Sequence, residues 1–360
     1  MGAAQAEVAE APAGRAQRRA EVRLQRAREG ASPVVGPQSV SVVLTNACNL
    51  NCVTCWSYSP LLSARPSVDW ARRRLERPLL LRLFAGLRGL HTERVIFTGG
   101  GDPLAHPEFL AIAGDATDQG LKVTLISNLT LVRDLPAFLA LRLHTVQANF
   151  SSADAETYAA FHPNRKPSDY DRLLETLRAV REAGTELKLV FVVCTLNAHV
   201  LPELIDAAAE LGASVQLKLM SALPDTRSLL ITEPQRAALL TTWPGLVRRA
   251  EQLGVRMNQE FRTALSGQSP ECFPIERVGC WAGHYYARVD ARGDVRYCCN
   301  PAAELRIGSL HDASFEELWW SDRWQDLRKQ LREGRFVAGC ERCGKFDLNV
   351  RVAIQAAALG

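Results

Sequence analysis

Three cysteines in one short segment, Cys48, Cys52 and Cys55, constrain this chain more than any other feature of its sequence. Their spacing is C-x3-C-x2-C, and a [4Fe–4S] cube is usually held by four cysteine thiolates. A set of three therefore predicts a cluster with one iron left open to a small molecule. The same positions are also i, i+4 and i+7 of a helix, where cysteines pack as small hydrophobic side chains.

The residues around these cysteines favour the cluster over a helix face. They follow the apolar run Ser39–Leu44, which is typical of a strand. Barrel enzymes place their chemistry in loops at strand ends. Asn46, Asn49 and Asn51 accompany the cysteines and are poor residues for the interior of a helix. We therefore predict an iron–sulfur site in a loop after the first strand.

The composition narrows the class of protein further. The chain has 360 residues and ten cysteines, with a formal net charge of +4. It contains no apolar run long enough for a membrane span or for the core of a signal peptide. Because thiols stay reduced in the cytosol, we expect a cytoplasmic protein whose cysteines bind metal. Six N-terminal arginines are typical of a solvated arm, so we expect no nucleic-acid or membrane partner.

Strand-like and helix-like segments alternate six times after residue 38. Such alternation predicts parallel strands with helices outside them, and six units fit a partial barrel better than a closed eight-unit barrel. The predicted fold class is α/β, a partial (β/α)6 TIM-like barrel with a small C-terminal iron–sulfur domain. The expected strands are Ser39–Leu44, Arg94–Thr98, Lys122–Ser127, Thr145–Phe150, Leu187–Val193 and Ser214–Leu219.

The expected divisions of the chain follow from the same pattern. The part before the first strand is a disordered or partly helical arm, and one helical pattern covers Val68–Gly89. The divisions are the arm at 1–37, the barrel at 38–225, a helical linker at 226–271, a cysteine-bearing domain at 272–348 and a C-terminal tail at 349–360.

Four more cysteines, Cys280, Cys298, Cys340 and Cys343, form a second spaced set. The first two are related by C-x12-G-x4-C, with Gly293 as the glycine, and the last two by C-x2-C. A region this short needs an internal staple to fold. Four thiolates supply one by holding either a [4Fe–4S] cluster or a structural zinc ion. The spacing alone favours neither.

The segment Cys48–Cys55 resembles the cysteine motif of the radical S-adenosylmethionine (SAM) superfamily, and the resemblance extends over residues 39–220. In that family the open iron binds the amino and carboxylate groups of SAM. Reductive cleavage of SAM gives a 5′-deoxyadenosyl radical that removes hydrogen from a substrate. The resemblance implies SAM and a [4Fe–4S] cluster as cofactors, and a flavodoxin- or ferredoxin-type reductant as partner.

A glycine-rich segment after the second strand matches the family's Gly-Gly-Glu-Pro segment, which meets the SAM amino group. Here it consists of Gly99, Gly100, Gly101 and Asp102, followed by proline. Glycines at such a place allow close approach of the backbone to a ligand. Asp102 keeps the charge of the family's glutamate with one methylene less reach.

Other candidate SAM contacts lie at the ends of later strands. Ser127 and Asn128 end the third strand, where the family binds the SAM ribose and carboxylate. Asn149 and Ser151 end the fourth strand and are also suited to capping the next helix. The family favours an aromatic residue just before the third cysteine, a position that is Thr54 in this chain. Trp56, just after that cysteine, is the candidate adenine contact.

The second cysteine set resembles the SPASM extension of radical SAM enzymes, or its shorter form, the twitch domain. No cysteine follows Cys343, so the resemblance implies one auxiliary [4Fe–4S] cluster with four protein ligands. The spacing is similar to that of an aminocyclitol dehydrogenase of butirosin biosynthesis. This implies oxidation of an alcohol in a small polar natural product (a sugar, aminocyclitol or nucleoside), with the auxiliary cluster accepting the second electron.

Three alternatives remain open at this point. One is an epimerase, in which Cys299 or Cys272 returns hydrogen to the substrate. Another is a ribosomal-peptide maturase, although the N-terminal arm is short and polar for a leader-binding domain. The third is a non-catalytic electron carrier, which has no use for an open iron.

The base that takes the hydroxyl proton in an alcohol oxidation is not assigned by the sequence. His162, His284, Asp290 and Arg288 are loose candidates for it.

Overall fold

The computed structural model describes residues 12–30, 33–266, 275–300, 305–341 and 343–358. Within these ranges the chain forms a nine-stranded sheet with helices packed against it. The strands are β1 Ser39–Val43, β2 Arg94–Thr98, β3 Lys122–Ser127, β4 Thr145–Asn149, β5 Glu186–Val193, β6 Ser214–Leu219, β7 Tyr286–Val289, β8 Asp294–Arg296 and β9 Arg306–Ser309.

The helices follow the strands in the predicted alternation. They are α1 Pro12–Arg28, α2 Val68–Ala71, α3 Arg77–Gly89, α4 Phe109–Asp118, α5 Leu135–Ala140, α6 Ala155–Phe161, α7 Ser168–Glu182, α8 Leu201–Glu210, α9 Glu233–Gln252, α10 Glu260–Ser266, α11 Ile275–Val278, α12 Ala282–Tyr285, α13 Phe315–Trp320, α14 Asp322–Arg332 and α15 Phe346–Ala357.

The order of the strands confirms the predicted partial barrel. Strands β1 to β6 lie side by side in sequence order and are all parallel. The C-terminal region adds to this sheet directly, because β7 pairs in parallel with the free edge of β1. Strands β8 and β9 then continue the sheet in antiparallel order.

The two faces of the sheet differ in polarity because side chains alternate along each strand. Val40 and Val42 of β1 are fully buried against the helices, with Val95 and Phe97 of β2 beside them. Residues on the opposite face line the interior of the partial barrel, here called the lumen. The lumen includes Ser41, Gln147, Asn149, Lys188, Gln216, Lys218, Tyr286 and Arg288, as the burial patterns and strand register place them.

The predicted helical segment Val68–Gly89 is interrupted. Its two helices, α2 and α3, are separated by residues 72–76, and Pro78 stands in the first turn of α3. Proline is favoured at a helix start and disfavours helical backbone in the residue before it. The interrupting segment forms a bridge between Arg74 and Thr45, which ties it to the start of the cysteine loop.

The described part of the N-terminal arm differs from the solvated arm expected for an arginine-rich run. Helix α1 packs against α12 and α15, with Ala27 buried among residues of those helices. Arg23 is fully buried, donates to the carbonyl of Gly36 at 3.3 Å, and pairs with Glu93 at 3.4 Å. Its guanidinium also lies over the ring of Tyr285. One arginine of the run is therefore an internal contact, a role that composition does not reveal.

Most of the expected C-terminal tail is helical. Residues 349–357 belong to α15, and the side chains of Asn349 and Val352 are buried. This helix packs against α1 and against Trp281, the residue that follows Cys280.

Candidate functional site

The first three cysteines lie in a loop of turns after β1, so the helix-face interpretation is wrong. Cys48 Sγ accepts from the amide of Leu50 at 3.5 Å, and Cys55 Sγ accepts from the amides of Ser57 and Tyr58 at 3.4 and 3.3 Å. Amide donors favour a thiolate over a thiol. The backbone of the loop is thus already arranged for anionic sulfur.

Burial and the neighbouring acidic groups disfavour ionisation of these thiols. Burial, with smaller contributions from Asp102 and Cys55, raises the pKa of Cys48 to about 11. Burial also raises the pKa of Cys52, with contributions from Cys55 and Cys48. A bound metal reverses this preference, because it deprotonates the thiols that coordinate it. The set therefore fits a cationic cluster, which would neutralise three adjacent sulfurs.

Neighbouring loops fix the position of the cysteine loop. Asn49 donates to Thr130 Oγ1 at 2.7 Å and accepts from Asn128 Nδ2 at 3.2 Å, both after β3. Asn164, after α6, donates to the carbonyl of Asn49 at 2.8 Å. The amide of Val53 donates to the carbonyl of Phe161, the last residue of α6. Sequence reasoning noted the asparagines of the loop as poor helix residues but missed their partners, which only the fold brings near.

The glycine segment after β2 lies directly against the cysteine loop. A Cβ on Gly101 would collide with the carbonyl of Ala47, and one on Gly100 with the side chain of Asn46. Gly101 N also donates to the carbonyl of Thr45, and Asp102 N to that of Ala47. The glycines are thus required for close contact between two segments of the protein's own backbone. The sequence predicted close contact with a ligand and not this one.

Asp102 is buried and its carboxylate is engaged by the protein. It accepts from Ser127 Oγ at 2.9 Å, from Asn128 N at 2.8 Å and from Leu104 N at 2.9 Å. Burial raises the pKa of Asp102, and the three donor groups oppose that shift. The structure therefore brings Asp102, Ser127 and Asn128 together as one hydrogen-bonded unit beside the cysteine loop.

The other candidate SAM contacts lie in different environments. Asn149 is exposed in the lumen at the end of β4. Ser151 is buried, and its hydroxyl lies 3.3 Å from His162 Nε2. Trp56 is about half exposed and donates to the carbonyl of Ser221 at 2.7 Å, after β6. Among the described residues, the side chains of Ser151 and Trp56 have hydrogen-bond partners within the protein. The side chain of Asn149 has none there and faces the lumen.

The second set of cysteines comes together from three segments of the chain. Cys280, Cys298, Cys340 and Cys343 line one cavity, and Asn349 joins two of its walls. Its Oδ1 accepts from Trp281 N at 2.8 Å, and its Nδ2 donates to Cys343 Sγ at 3.4 Å. The four cysteines therefore share a site that is assembled only by the tertiary structure.

The chemistry of this second cavity also fits a cationic group. Burial, with smaller contributions from Cys343 and Cys340, raises the pKa of Cys280 to about 12. Burial raises the pKa of Cys343 to about 11. Four thiols that resist ionisation together become thiolates when a metal supplies positive charge.

Cys299 follows Cys298 but is not among the residues that line this cavity. Its pKa is lowered by a hydrogen bond with Cys298 and by the nearby cations Lys345, Arg288 and Lys218. Arg288 Nη1 donates to the carbonyl of Cys299 at 3.4 Å. The ammonium of Lys345 lies 3.9 Å from the centre of a tyrosine ring that itself faces the lumen. Lys218 and Lys345 were not predicted as site residues, since a single lysine in a strand or turn carries no signal in a sequence.

Most of the loose candidates for a base are used structurally. His162 stacks on Tyr158 with 4.6 Å between ring centres, and burial lowers its pKa to about 4. Burial and nearby arginines lower the pKa of His284 to about 3. Asp290 accepts amide bonds within the β7–β8 turn and pairs with Arg296 at 3.3 Å. The remaining candidate, Arg288, lies in the lumen but is a cation.

Comparison with known proteins agrees with these two sites. A model of the radical SAM superfamily matches residues 42–210, and a model of an iron–sulfur cluster-binding domain, SPASM, matches residues 280–344. Mycofactocin maturase MftC of Mycolicibacterium smegmatis is 27% identical over 326 residues, covering 84% of this chain and 74% of that protein. The AdoMet-dependent heme synthase of Methanosarcina barkeri is 26% identical, covering 86% and 88%.

Solved structures share the fold. The crystal structure of Streptococcus suis SuiB bound to S-adenosylmethionine aligns with a TM-score of 0.65 at 13% identity, covering 89% of this chain and 74% of that one. Partial barrel, cysteine loop and cysteine-lined cavity together define an iron–sulfur protein of the α/β-barrel class. The chain contains a radical SAM domain over residues 42–210 and an iron–sulfur cluster-binding SPASM domain over residues 280–344.

This assignment settles the kind of cofactor. The two domains imply SAM and two [4Fe–4S] clusters. Among the described residues, no three His, Cys, Asp or Glu side chains stand close enough together for a single metal ion. The preference for iron–sulfur over zinc at the second set depends on the SPASM match. No helix in the described ranges has the length and apolar character to cross a membrane.

Proposed function

We propose that this chain is a radical SAM oxidoreductase that holds its substrate in the lumen between two clusters. Cys48, Cys52 and Cys55 are the ligands of the first cluster. The cavity lined by Cys280, Cys298, Cys340 and Cys343 takes the second. When bound and reduced, the first cluster and SAM supply a 5′-deoxyadenosyl radical that removes a hydrogen atom from the substrate.

The residues proposed for SAM act in two groups. Asp102 holds Ser127 and Asn128 in place, because its carboxylate bonds to both of them and to the amide of Leu104. It is therefore a positioning residue for the end of β3. The backbone of Gly99 and Gly100 and the side chain of Asn149 remain as groups that can face SAM directly.

The main support for the oxidoreductase proposal is the contact between the second cysteine region and the lumen. Cys299 follows one proposed ligand of the second cluster, and Lys345 lies two residues after another. Both adjoin lumen residues, since Arg288 bonds to Cys299 and Lys345 lies over the ring of Tyr286. A substrate in the lumen is therefore next to the proposed electron acceptor. Proximity of this kind supports removal of a second electron after hydrogen abstraction.

The lumen also supplies a base. Lys218 is exposed to the lumen, yet desolvation by the surrounding protein lowers its pKa, and the nearby ammonium of Lys345 lowers it as well. A lysine with a lowered pKa can exist as a neutral amine that accepts a proton near neutral pH. We propose that Lys218 takes the hydroxyl proton of the substrate, a role that none of the four sequence-based candidates fits as well.

The polar lining favours a polar substrate. Asn149, Lys188, Gln216 and Lys218 face the lumen and offer donors to hydroxyl and carboxylate oxygens. A small polar alcohol such as a sugar, aminocyclitol or nucleoside fits this lining.

Maturation of a peptide is the second candidate function. It is favoured by the sequence relationship to mycofactocin maturase and by the fold shared with SuiB, whose structure has been solved with a precursor peptide. The lumen lining serves this reaction equally well, because a peptide side chain or terminal carboxylate also presents polar oxygens.

An epimerase differs from both in needing a hydrogen donor. Cys299 is placed for such a role, since its sulfur neighbours the lumen cations. Cys272, the other thiol considered, lies outside the described residues.

The test begins with anaerobic reconstitution and analysis of metal and products. The proposal expects about eight irons per chain, four for each cube, and 5′-deoxyadenosine formation with SAM and a strong reductant. A value near four irons per chain, with zinc also present, would contradict the proposal of a second iron–sulfur cluster. In heavy water, an oxidised product should carry no deuterium at the reacting carbon, whereas one incorporated deuteron indicates epimerisation. Cys299→Ala should abolish epimerisation but leave oxidation intact.

A further inference from the structure

An open groove of about 880 Å³ reaches the first cysteine loop from the surface. One wall is formed by Ala47, Cys48 and Tyr58, and the other by residues between Pro66 and Glu76. Cys48 is half-buried at the groove, so a proposed ligand of the first cluster is accessible there. The candidate SAM contacts at Gly99–Asp102 and at Ser127 are not among the residues that line it. The groove is thus a separate approach to the same cluster site.

Three consecutive arginines make this groove cationic. Arg72, Arg73 and Arg74 all line it, with Glu76 as the acidic residue beside them. Arg74 pairs with Glu76 at 3.7 Å, but both side chains are at least half exposed. In the described part of the chain, Arg72 and Arg73 form no salt bridge with an acidic side chain within 4.0 Å. Two positive charges are therefore left for a partner.

The arginine segment is fixed relative to the cysteine loop. Asn46 N donates to the carbonyl of Arg73 at 2.9 Å, and Thr45 Oγ1 donates to the same carbonyl at 3.1 Å. Asn46 Nδ2 donates to the carbonyl of Trp70 at 3.0 Å. These bonds reach the residues immediately before Cys48. A protein bound to the arginines is consequently held at a set place beside the cluster.

We propose that this groove is the docking site of an acidic one-electron carrier protein of the flavodoxin or ferredoxin type. The inference depends on the proposed function only in requiring a cluster at Cys48, Cys52 and Cys55. In the step, one electron leaves the reduced carrier and enters the cluster; the carrier is oxidised, the cluster is reduced, and no covalent bond changes. Charge complementarity at the rim of a small transient interface increases the rate of encounter and makes it depend on salt.

The experiment measures reduction of the cluster itself. Reconstituted enzyme is mixed anaerobically with a photoreduced acidic flavodoxin, and the loss of cluster absorbance is followed by stopped flow. In Arg72→Glu/Arg73→Glu the rate should fall by about 10-fold or more at low salt, with the difference shrinking as salt is added. Arg72→Gln/Arg73→Gln should show a smaller decrease. Reduction by dithionite should be unchanged in both, because dithionite needs no docking.

A matched control carries the same change of charge elsewhere. Arg172→Glu/Arg178→Glu alters two exposed arginines on α7 and should leave the rate with flavodoxin at the wild-type value. Equal rates for the groove variant and wild type, or an equal decrease in the α7 control, would overturn the proposal. So would a decrease with dithionite as large as that with flavodoxin. The result is readable without any substrate, so failure of the oxidoreductase proposal would not affect it.

Discussion

The two cysteine regions are built in different ways. The first is one continuous loop, residues 48–55, whose sulfurs accept hydrogen bonds from amides two or three residues away. The second collects cysteines from three segments between Cys280 and Cys343, and it needs Asn349 of α15 to join two of them. The first site is local, whereas the second exists only when the C-terminal region has folded around it.

This difference predicts how each region responds to loss of its metal. Closing distant segments into one site costs chain entropy, which a metal bound across them offsets by binding only the folded form. Most residues of the main hydrophobic core belong to the barrel, and the same core continues into residues 282–331. The first loop therefore has a folded support without its cluster. We therefore expect the metal of the second site to contribute more to folding than the metal of the first.

The largest expected effect comes from removing one ligand in each region. Cys52→Ala should abolish 5′-deoxyadenosine formation and leave about four irons per chain, because the second cube is retained. Cys298→Ala should leave a similar amount of iron but keep SAM cleavage while losing the oxidised product. Iron analysis and chromatography of SAM products check both. Loss of SAM cleavage in Cys298→Ala would show that the two sites are not separable.

A smaller effect is expected at the contact between the glycine segment and the cysteine loop. Gly101→Ala forces a methyl group against the carbonyl of Ala47, and overpacking of this kind costs about 2 kcal/mol. The iron of the first site should fall while that of the second stays. Gly114→Ala is the matched control, since its methyl group meets nothing within 4 Å in helix α4. It should raise the free energy of unfolding by about 0.5–1 kcal/mol in urea titrations.

The hydrogen bonds that join the second site provide the next test. Asn349→Ala removes the acceptor of Trp281 N and a donor to Cys343, which should destabilise that region by about 2 kcal/mol. Hydrogen exchange should rise at residues 280–285 and stay unchanged at residues 39–60. Asn164→Ala, at an exposed position beside the first loop, should raise exchange near residue 49 only. Faster exchange throughout the barrel in Asn349→Ala would contradict a local role.

The smallest effect concerns pH and the support of the first loop. Burial lowers the pKa of His162 to about 4 in the folded protein, whereas its ordinary value in an unfolded chain is near 6.5. Between these two pH values His162 is protonated in the unfolded chain but neutral in the folded protein. Stability should therefore fall as pH drops, by about 1 kcal/mol between pH 7.5 and 5.5. His162→Phe should remove this part of the slope in thermal melts at both pH values. An unchanged slope would show that other groups dominate the pH response.

Much of the barrel could be predicted from the sequence because its signal is local. The six strands follow from alternating apolar runs, and their ends match the structure within one residue. The cysteine loop follows from the spacing of Cys48, Cys52 and Cys55. Those patterns need no knowledge of which segments meet in space.

The rest depends on contacts between distant segments. Nothing near Asn349 in the sequence indicates that it bonds to Trp281, and nothing near Lys218 indicates that it adjoins Cys299. Asp102 was predicted to meet SAM, yet its bonds to Ser127 and Asn128 appear only when β2 and β3 are side by side. These are common residue types outside any recognisable motif, and their roles depend on contacts that only the folded structure makes.

Helix α1 has a consequence for the order of folding. It precedes the barrel in the sequence, whereas its partners α12 and α15 follow the barrel. The buried guanidinium of Arg23 joins Glu93, just before β2, to the ring of Tyr285. During synthesis the barrel can fold while α1 still lacks its partners, since domains form as their residues emerge. Docking of α1 onto α12 and α15 then follows the folding of the barrel that separates them in the sequence.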